Sequence, residues 1–225
     1  MKLLAISDTH NRQGEFSTVL YDLIDRHPDI EGIIHAGDGS NSRDPVMNKF
    51  ELREFLDWYS TLPIKHKIFT GGNHDTSLEA GLVKPSDYPD IKFLLHEELI
   101  LESIKIFGSP YTPEFHNWAY NVPRDRIGKY WKSIPLDVDL LITHGPPKYI
   151  LDNSYKRHVG DLSLYEKFKN REISPKFHVF GHVHNEDGNI NNGKFQLSTL
   201  PTTFINASMV DLKHSPVNTP IVFEI

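Results

Sequence analysis

Five short polar motifs stand out from the 225-residue sequence because their side chains are those that hold metals and move protons. They are Asp8-Thr9-His10, Gly37-Asp38, Gly72-Asn73-His74-Asp75, His144-Gly145 and Gly181-His182-Val183-His184. Carboxylate oxygen, imidazole nitrogen and amide carbonyl oxygen together suit borderline divalent metals such as Mn, Fe, Zn or Co. Six or seven such donors exceed one tetrahedral zinc site but match two metals that share a bridging carboxylate, and Asp38 is the candidate bridge. Two aspartates bring two negative charges against roughly four positive ones from two divalent ions, in the two-metal scheme. Such a centre stays locally positive, binds phosphate and acidifies a water held between the ions. Each motif alone is weak: Asp-x-His and His-x-His occur in turns and cores, and Gly-Asp is ordinary turn chemistry. The ordered set is the signal.

Each motif follows a short run that reads as a buried strand: Leu3–Ser7, Gly32–Ala36, Lys67–Thr70, Leu140–Thr143 and Phe177–Phe180. Ligand sites of open α/β sheets assemble at strand carboxyl ends, so five ends can aim at one point. Alternation along a strand would turn Asp8 with His10, and His182 with His184, to a common side. Helical spacing predicts helices over Glu15–Arg26, ended by Pro28, and over Val46–Thr61, ended by Pro63. Leu99–Glu102 and Lys105–Phe107 read as a hairpin, and Lys194–Ser198, Thr203–Ile205 and Ile221–Glu224 as meandering strands. The Pro- and aromatic-rich stretch Ser109–Tyr120 is the candidate functional loop, whereas the Asn-rich Asn185–Gly193 reads as a plain surface turn. Neither repeats nor a Gly/Ser linker interrupts the chain, so one domain over 1–225 is expected.

Composition narrows the classes. The absence of cysteine excludes disulfides, thiolate catalysis and iron–sulfur clusters, and makes the 13 histidines the natural nitrogen donors. A formal net charge of −6 disfavours a stable nucleic-acid complex. No apolar stretch is long enough for a bilayer, and Leu3-Leu4-Ala5-Ile6 is too short for a signal-peptide core. The expectation is a cytoplasmic protein without membrane contact, its oligomeric state left open. Asn206-Ala207-Ser208 fits the glycosylation pattern but reads as a chance match.

The ordered motifs, spanning Asp8 to His184, resemble those of the calcineurin-like metallophosphoesterases. More narrowly, Phe107–Pro113, Phe115–Ala119 and Phe204–Ser208 are similar to stretches of the MPPED-type (metallophosphoesterase-domain) subgroup. The resemblance implies an α/β fold, a four-layer αββα sandwich of two mixed sheets flanked by helices, with a dinuclear metal site at strand carboxyl ends. It implies that Asp8, His10 and His184 hold a first metal, that Asp38 bridges, and that Asn73, His144 and His182 complete the second. Manganese is the expected metal, with iron, zinc, cobalt or nickel as alternatives. His74 would then protonate the leaving oxygen while a metal-activated hydroxide attacks phosphorus in line. The expected substrate is a small phosphodiester or cyclic nucleotide, with Tyr111, Phe115, Trp118 and Tyr120 as a candidate stacking wall. The alternatives are a broad phosphomonoesterase, a metal-containing scaffold with little turnover, and a repair nuclease. The extended Gly-Asp-x-x-Asp-Arg-Gly motif of protein phosphatases is absent, because Gly37-Asp38 continues as Gly39-Ser40-Asn41-Ser42-Arg43.

Overall fold

The computed structural model describes residues 1–186 and 188–225. In chain order the strands are β1 (Lys2–Ile6), β2 (Ile30–His35), β3 (His66–Phe69), β4 (Ile91–Phe93), β5 (Glu97–Leu101), β6 (Ile104–Ser109), β7 (Thr112–Pro113), β8 (Asn121–Val122), β9 (Leu140–Thr143), β10 (Asn153–Ser154), β11 (Arg157–His158), β12 (Phe177–Phe180), β13 (Gly193–Gln196), β14 (Thr203–Asn206) and β15 (Ile221–Glu224). The helices are α1 (Gln13–Arg26), α2 (Pro45–Thr61), the single turn α3 (Thr76–Glu79) and α4 (Leu162–Lys169). Of the two large sheets, one runs β15-β1-β2-β3-β4 and the other β13-β14-β12-β9-β6-β5, while β7-β8 and β10-β11 form small two-stranded ladders. Strands β1 to β4 are mutually parallel, as are β6, β9, β12 and β14.

Period-2 alternation decides which side chains fill which layer. Leu3 and Ala5 of β1 join Ile34, Ile68, Ile106, Leu140, Ile142, Val179 and Ile205 in the core between the two sheets. Leu4 and Ile6 point the other way, against Phe16, Leu20 and Ile24 of α1 and Leu52, Phe55, Leu56 and Tyr59 of α2. The outer face of the second sheet buries Phe107, Leu141, Phe180 and Phe204 against Trp131, Leu164 and Phe168. Helix, sheet, sheet, helix is the expected four-layer order. Helix α2 starts where Asp44 accepts the Val46 and Met47 amides and Pro45 takes the first turn, a cap worth about 1 kcal/mol.

Two expectations require correction. The C-terminal strands are not a meander. β13 and β14 do pair antiparallel, but β14 lies parallel to β12 and β15 crosses to the first sheet, antiparallel to β1. The parallel crossover from β12 to β14 carries loop and β13 in place of a helix, so helical periodicity offered no cue to it. The Asn185–Gly193 stretch is not a plain surface turn either. Asn191 is buried and donates its side-chain amide to the carbonyls of His184 and Asn153, at 2.7 and 2.9 Å. Among the described residues, no helix is long and apolar enough to cross a membrane.

Candidate metal centre

All five motifs leave the carboxyl ends of parallel strands β1, β2, β3, β9 and β12, as expected, yet the residues within them converge through turns. β1 ends at Ile6, and Asp8 and His10 lie beyond it with φ of 56° and 46°. Asp38 and His182 are likewise left-handed, at 60° and 68°. Strand alternation therefore does not pair Asp8 with His10 or His182 with His184. Left-handed backbone at a non-glycine residue costs on the order of 1–3 kcal/mol and persists only where surrounding contacts impose it.

Those contacts are specific. The Asp8 amide donates to Gly37 O (2.9 Å) and the His10 amide to Asp38 O (3.0 Å), which stitches the first two motif loops together. The Gly181 amide donates to His144 O (2.9 Å), and the His182 amide reaches both oxygens of Asp8, at 3.1 and 3.0 Å. Glycine is required at Gly37, whose φ is +101° and where a Cβ would strike His144 and Gly72. A Cβ at Gly181 would collide with Ser7 and Asp8.

The hydrogen-bond directions around the donors are informative. His144 Nδ1 lies 2.8 Å from Ala36 O, and a carbonyl only accepts, so Nδ1 carries the hydrogen. In the neutral ring His144 Nε2 then offers a lone pair, yet it faces Asn73 Oδ1 at 2.9 Å and Asp38 Oδ2 at 3.3 Å. His184 repeats the pattern: Nδ1 faces Asp211 O at 3.2 Å, so Nε2 presents its lone pair to Asp8 Oδ1 (3.3 Å) and His10 Nε2 (3.4 Å). Asp38 Oδ2 also lies 4.0 Å from His10 Nε2, so one oxygen faces both clusters. Acceptors converging in this way repel one another unless a proton or a cation sits among them. Nitrogen and oxygen atoms of Asp38, His144 and His182 lie within 4.8 Å of one another, as do those of His10, Asp38 and His74, and those of His10, His184 and His214. The donor set fits divalent metal.

The acid–base balance of the metal-free site tells the same story. Burial opposes charge on His144, but Asp38, Asp8 and the Ala36 carbonyl outweigh it and push its pKa up to about 9. Burial alone would raise Asp8 and Asp38; the neighbouring imidazoles overcome it and hold both well below the usual carboxylate range. His182 moves the other way, to about 3, chiefly because burial disfavours its charged form.

Residues that the sequence motifs did not mark as functional hold this arrangement. Asp75 accepts the amides of Asp38 (2.9 Å), Ser40 (3.1 Å) and Gly72 (2.8 Å), fixing the Asp38 loop against the Asn73 loop. Asp38 Oδ1 in turn accepts the His74 amide at 2.7 Å. Asn206 is buried and donates to Val183 O at 3.0 Å, so the glycosylation-like triplet is a support for the His182–His184 loop. Its place in the Phe204–Ser208 stretch was the available signal.

Above the donors lies a cavity of about 560 Å³ lined by Asp38, Asn73, His74, His182, His184 and His214, with Arg43, Arg124, Phe115 and Trp118 among its other walls. Of the expected stacking wall, only Phe115 and Trp118 belong to it. Tyr120 packs on Gly71, where only a glycine leaves room, and Tyr111 lies against Tyr130 with ring centres 3.9 Å apart and planes tilted by 33°. Trp118 meets His74 edge-on at 4.6 Å and carries the Arg43 guanidinium 4.3 Å above its ring centre. Phe115 sits edge-on to His182 at 5.3 Å.

Comparison with known proteins agrees with this geometry. Residues 1–186 match the calcineurin-like phosphoesterase family. The chain is 32% identical to metallophosphoesterase domain-containing protein 1 of Homo sapiens, and equally to that of Mus musculus, over 100% of this chain and 71% of each relative. One solved structure shares the fold with a TM-score of 0.69 at 16% identity, covering 99% of this chain and 98% of that one. A sulfate thiohydrolase, SoxB, of Thermus thermophilus shares it at a TM-score of 0.55 and 12% identity, over 92% of this chain and 51% of that one. The strand-end motifs, the four-layer fold and the full-length similarity thus agree: the chain is a metal-dependent phosphoesterase of the calcineurin-like family, in its MPPED-type subgroup.

Proposed function

We propose that the protein hydrolyses small phosphodiesters at a centre of two divalent metal ions, manganese foremost. The observation that carries the reading is the convergence on Asp38 Oδ2 of imidazole nitrogens from both clusters, with His144 Nε2 at 3.3 Å and His10 Nε2 at 4.0 Å. Asp8, His10 and His184 would hold the first ion, Asn73, His144 and His182 the second, and Asp38 both. When bound, the ions neutralise phosphoryl charge and acidify water. The chain's own residues supply the rest.

His74 is the general acid of this scheme. Its Nδ1 donates to Asn41 O at 2.8 Å, which fixes the ring and leaves Nε2 as the nitrogen that gives a proton to the leaving oxygen. Arg43 and Arg124 add positive charge to the cavity wall, and Arg124 is held by the carbonyls of Gly160 (3.1 Å) and Val159 (2.8 Å). Support for a diester is the cavity itself: about 560 Å³ with an aromatic wall of Phe115 and Trp118 leaves room for two ester groups. The net charge of −6 favours a small substrate over a nucleic-acid strand. The deciding assay compares manganese-loaded protein on bis(4-nitrophenyl) phosphate and on 4-nitrophenyl phosphate. A higher kcat/KM on the diester is expected. A preference for the monoester would replace this reading with a phosphomonoesterase, and no turnover with manganese bound would replace it with a scaffold.

A further inference from the structure

A histidine outside the five motifs also reaches the centre. His214 lies in the turn between β14 and β15, lines the cavity and is half-buried. Its ring stacks on that of His10, with centres 3.9 Å apart and planes 8° from parallel. The ring centres of His184 and His74 lie 5.4 and 6.0 Å away.

The turn is built to hold it there. His214 has a φ of 58°, a left-handed conformation that must be imposed. Asp211 Oδ1 accepts the amides of Lys213 and Ser215, both at 2.8 Å, while the His214 amide donates to Asp211 O at 2.9 Å. The His214 carbonyl is gripped by Arg12, itself paired with Glu15 at 2.6 Å. Asp211 O also faces His184 Nδ1, so one turn orients both imidazoles.

Proximity alone would make His214 a third nitrogen ligand beside His10 and His184. The stacking argues otherwise. An imidazole lone pair lies in its ring plane, and two parallel, offset planes cannot both contain the same ion. In this pose His214 therefore does not share an ion with His10. Among the described residues neither of its ring nitrogens has a hydrogen-bond partner, although the ring faces a cavity suited to an anion.

We propose that His214 is a substrate-binding residue whose ring N–H donates to a non-bridging phosphoryl oxygen, across the cavity from His74. Two imidazoles with centres 6.0 Å apart can address different oxygens of one phosphoryl group, given hydrogen bonds of about 2.8 Å. The role needs only a neutral ring with one N–H. It rests on the phosphoester reading above and adds a contact that the five motifs do not contain.

The test compares wild type, His214→Ala and His214→Gln as manganese-loaded proteins. Three quantities are read: calorimetric affinity for inorganic phosphate, kcat and KM on bis(4-nitrophenyl) phosphate, and manganese per chain. Both variants meet a similar backbone cost at position 214, so their difference reports the N–H. His214→Ala is expected to weaken phosphate binding and raise KM about 10-fold, the scale of one lost charge-assisted hydrogen bond. Manganese per chain should match wild type, and His214→Gln should recover most of the loss. Unchanged phosphate affinity and KM in His214→Ala would overturn the proposal. A loss of one manganese per chain would also overturn it, in favour of a ligand role. If wild type hydrolyses neither ester, the phosphoesterase reading fails, while phosphate calorimetry still decides the role of His214.

Discussion

His144 Nε2 and Asp38 Oδ2 lie 3.3 Å apart with no hydrogen to place between them in the neutral ring, because His144 commits its other nitrogen to Ala36 O. The metal-free protein relieves this by protonating His144, whose pKa rises to about 9. A metal bound as proposed would compete with that proton for one position, and the competition is measurable.

Metal binding should release protons. Below about pH 9 the metal-free site holds a proton on His144, which an ion bound as proposed would have to displace. Apparent affinity should therefore rise with pH, by up to about 10-fold per unit from this group, and level off above 9. In stability the sign is reversed: a raised pKa stabilises the metal-free fold fully below the unfolded histidine value and loses that contribution as pH rises through 9. Manganese titrations near neutral pH, in buffers of different ionisation heat, should report about one proton or more released per chain. No release would contradict the assignment.

Replacing His74 separates chemistry from metal binding. His74→Ala should retain manganese while turnover of an ester with a poor leaving group falls about 10²–10⁴-fold, the range for a lost general acid. An ester with a good leaving group should suffer less. Equal losses on both would argue that His74 binds substrate rather than delivering a proton.

Asp75 makes a structural prediction. Removing its carboxylate strands the buried amides of Asp38, Ser40 and Gly72, at about 1–3 kcal/mol for each unpaired group. Asp75→Ala should lower unfolding free energy by at least about 3 kcal/mol in denaturant melts of metal-free protein. It should weaken manganese binding as well, since the Asp38 and Asn73 loops lose their common acceptor. Wild-type stability would show that those amides find other partners.

His178 predicts an acid-sensitive core away from the candidate metal centre. Thr143 Oγ1 donates to Gly145 O at 2.7 Å and so accepts from His178 Nε2 at 2.8 Å, while His178 Nδ1 is buried without a partner. Burial pushes its pKa down to about 3, so the folded state holds it neutral while the unfolded chain protonates near 6.5. Its contribution is complete above about 6.5 and declines by about 1.4 kcal/mol per pH unit below that, toward 3. His178→Phe, among Phe168, Phe180 and Phe204, should flatten the stability profile between pH 6.5 and 4. An unchanged slope would assign the acid sensitivity to other groups.

Where the sequence was legible, a local physical rule was at work. Short, near-continuously apolar runs marked β9 and β12 to the residue, and Pro28 and Pro63 marked the ends of the two long helices. The motif residues could be singled out because metal chemistry restricts residue type. What escaped were contacts joining positions far apart in the chain. Asp75 looked like the tail of a motif until the amides of Asp38 and Ser40 were seen pointing at it. Asn191 looked like turn composition, yet it is buried beneath His184. His214 gave no motif at all, since its stack on His10 depends on the crossover from β14 to β15. Tyr111 and Tyr120 show the opposite error: aromatic content in a loop does not reveal which rings face the cavity and which anchor the loop.

The proposed function requires two ions, which Asp38 would hold together. It is tested most directly by titrating metal-stripped protein with manganese while recording ions bound per chain and hydrolysis of bis(4-nitrophenyl) phosphate together. Activity is expected to lag the first equivalent and reach its plateau at two ions per chain, with Asp38→Ala binding neither tightly and remaining inactive. Full activity at one ion per chain, or in the chelator-stripped protein, would contradict the account.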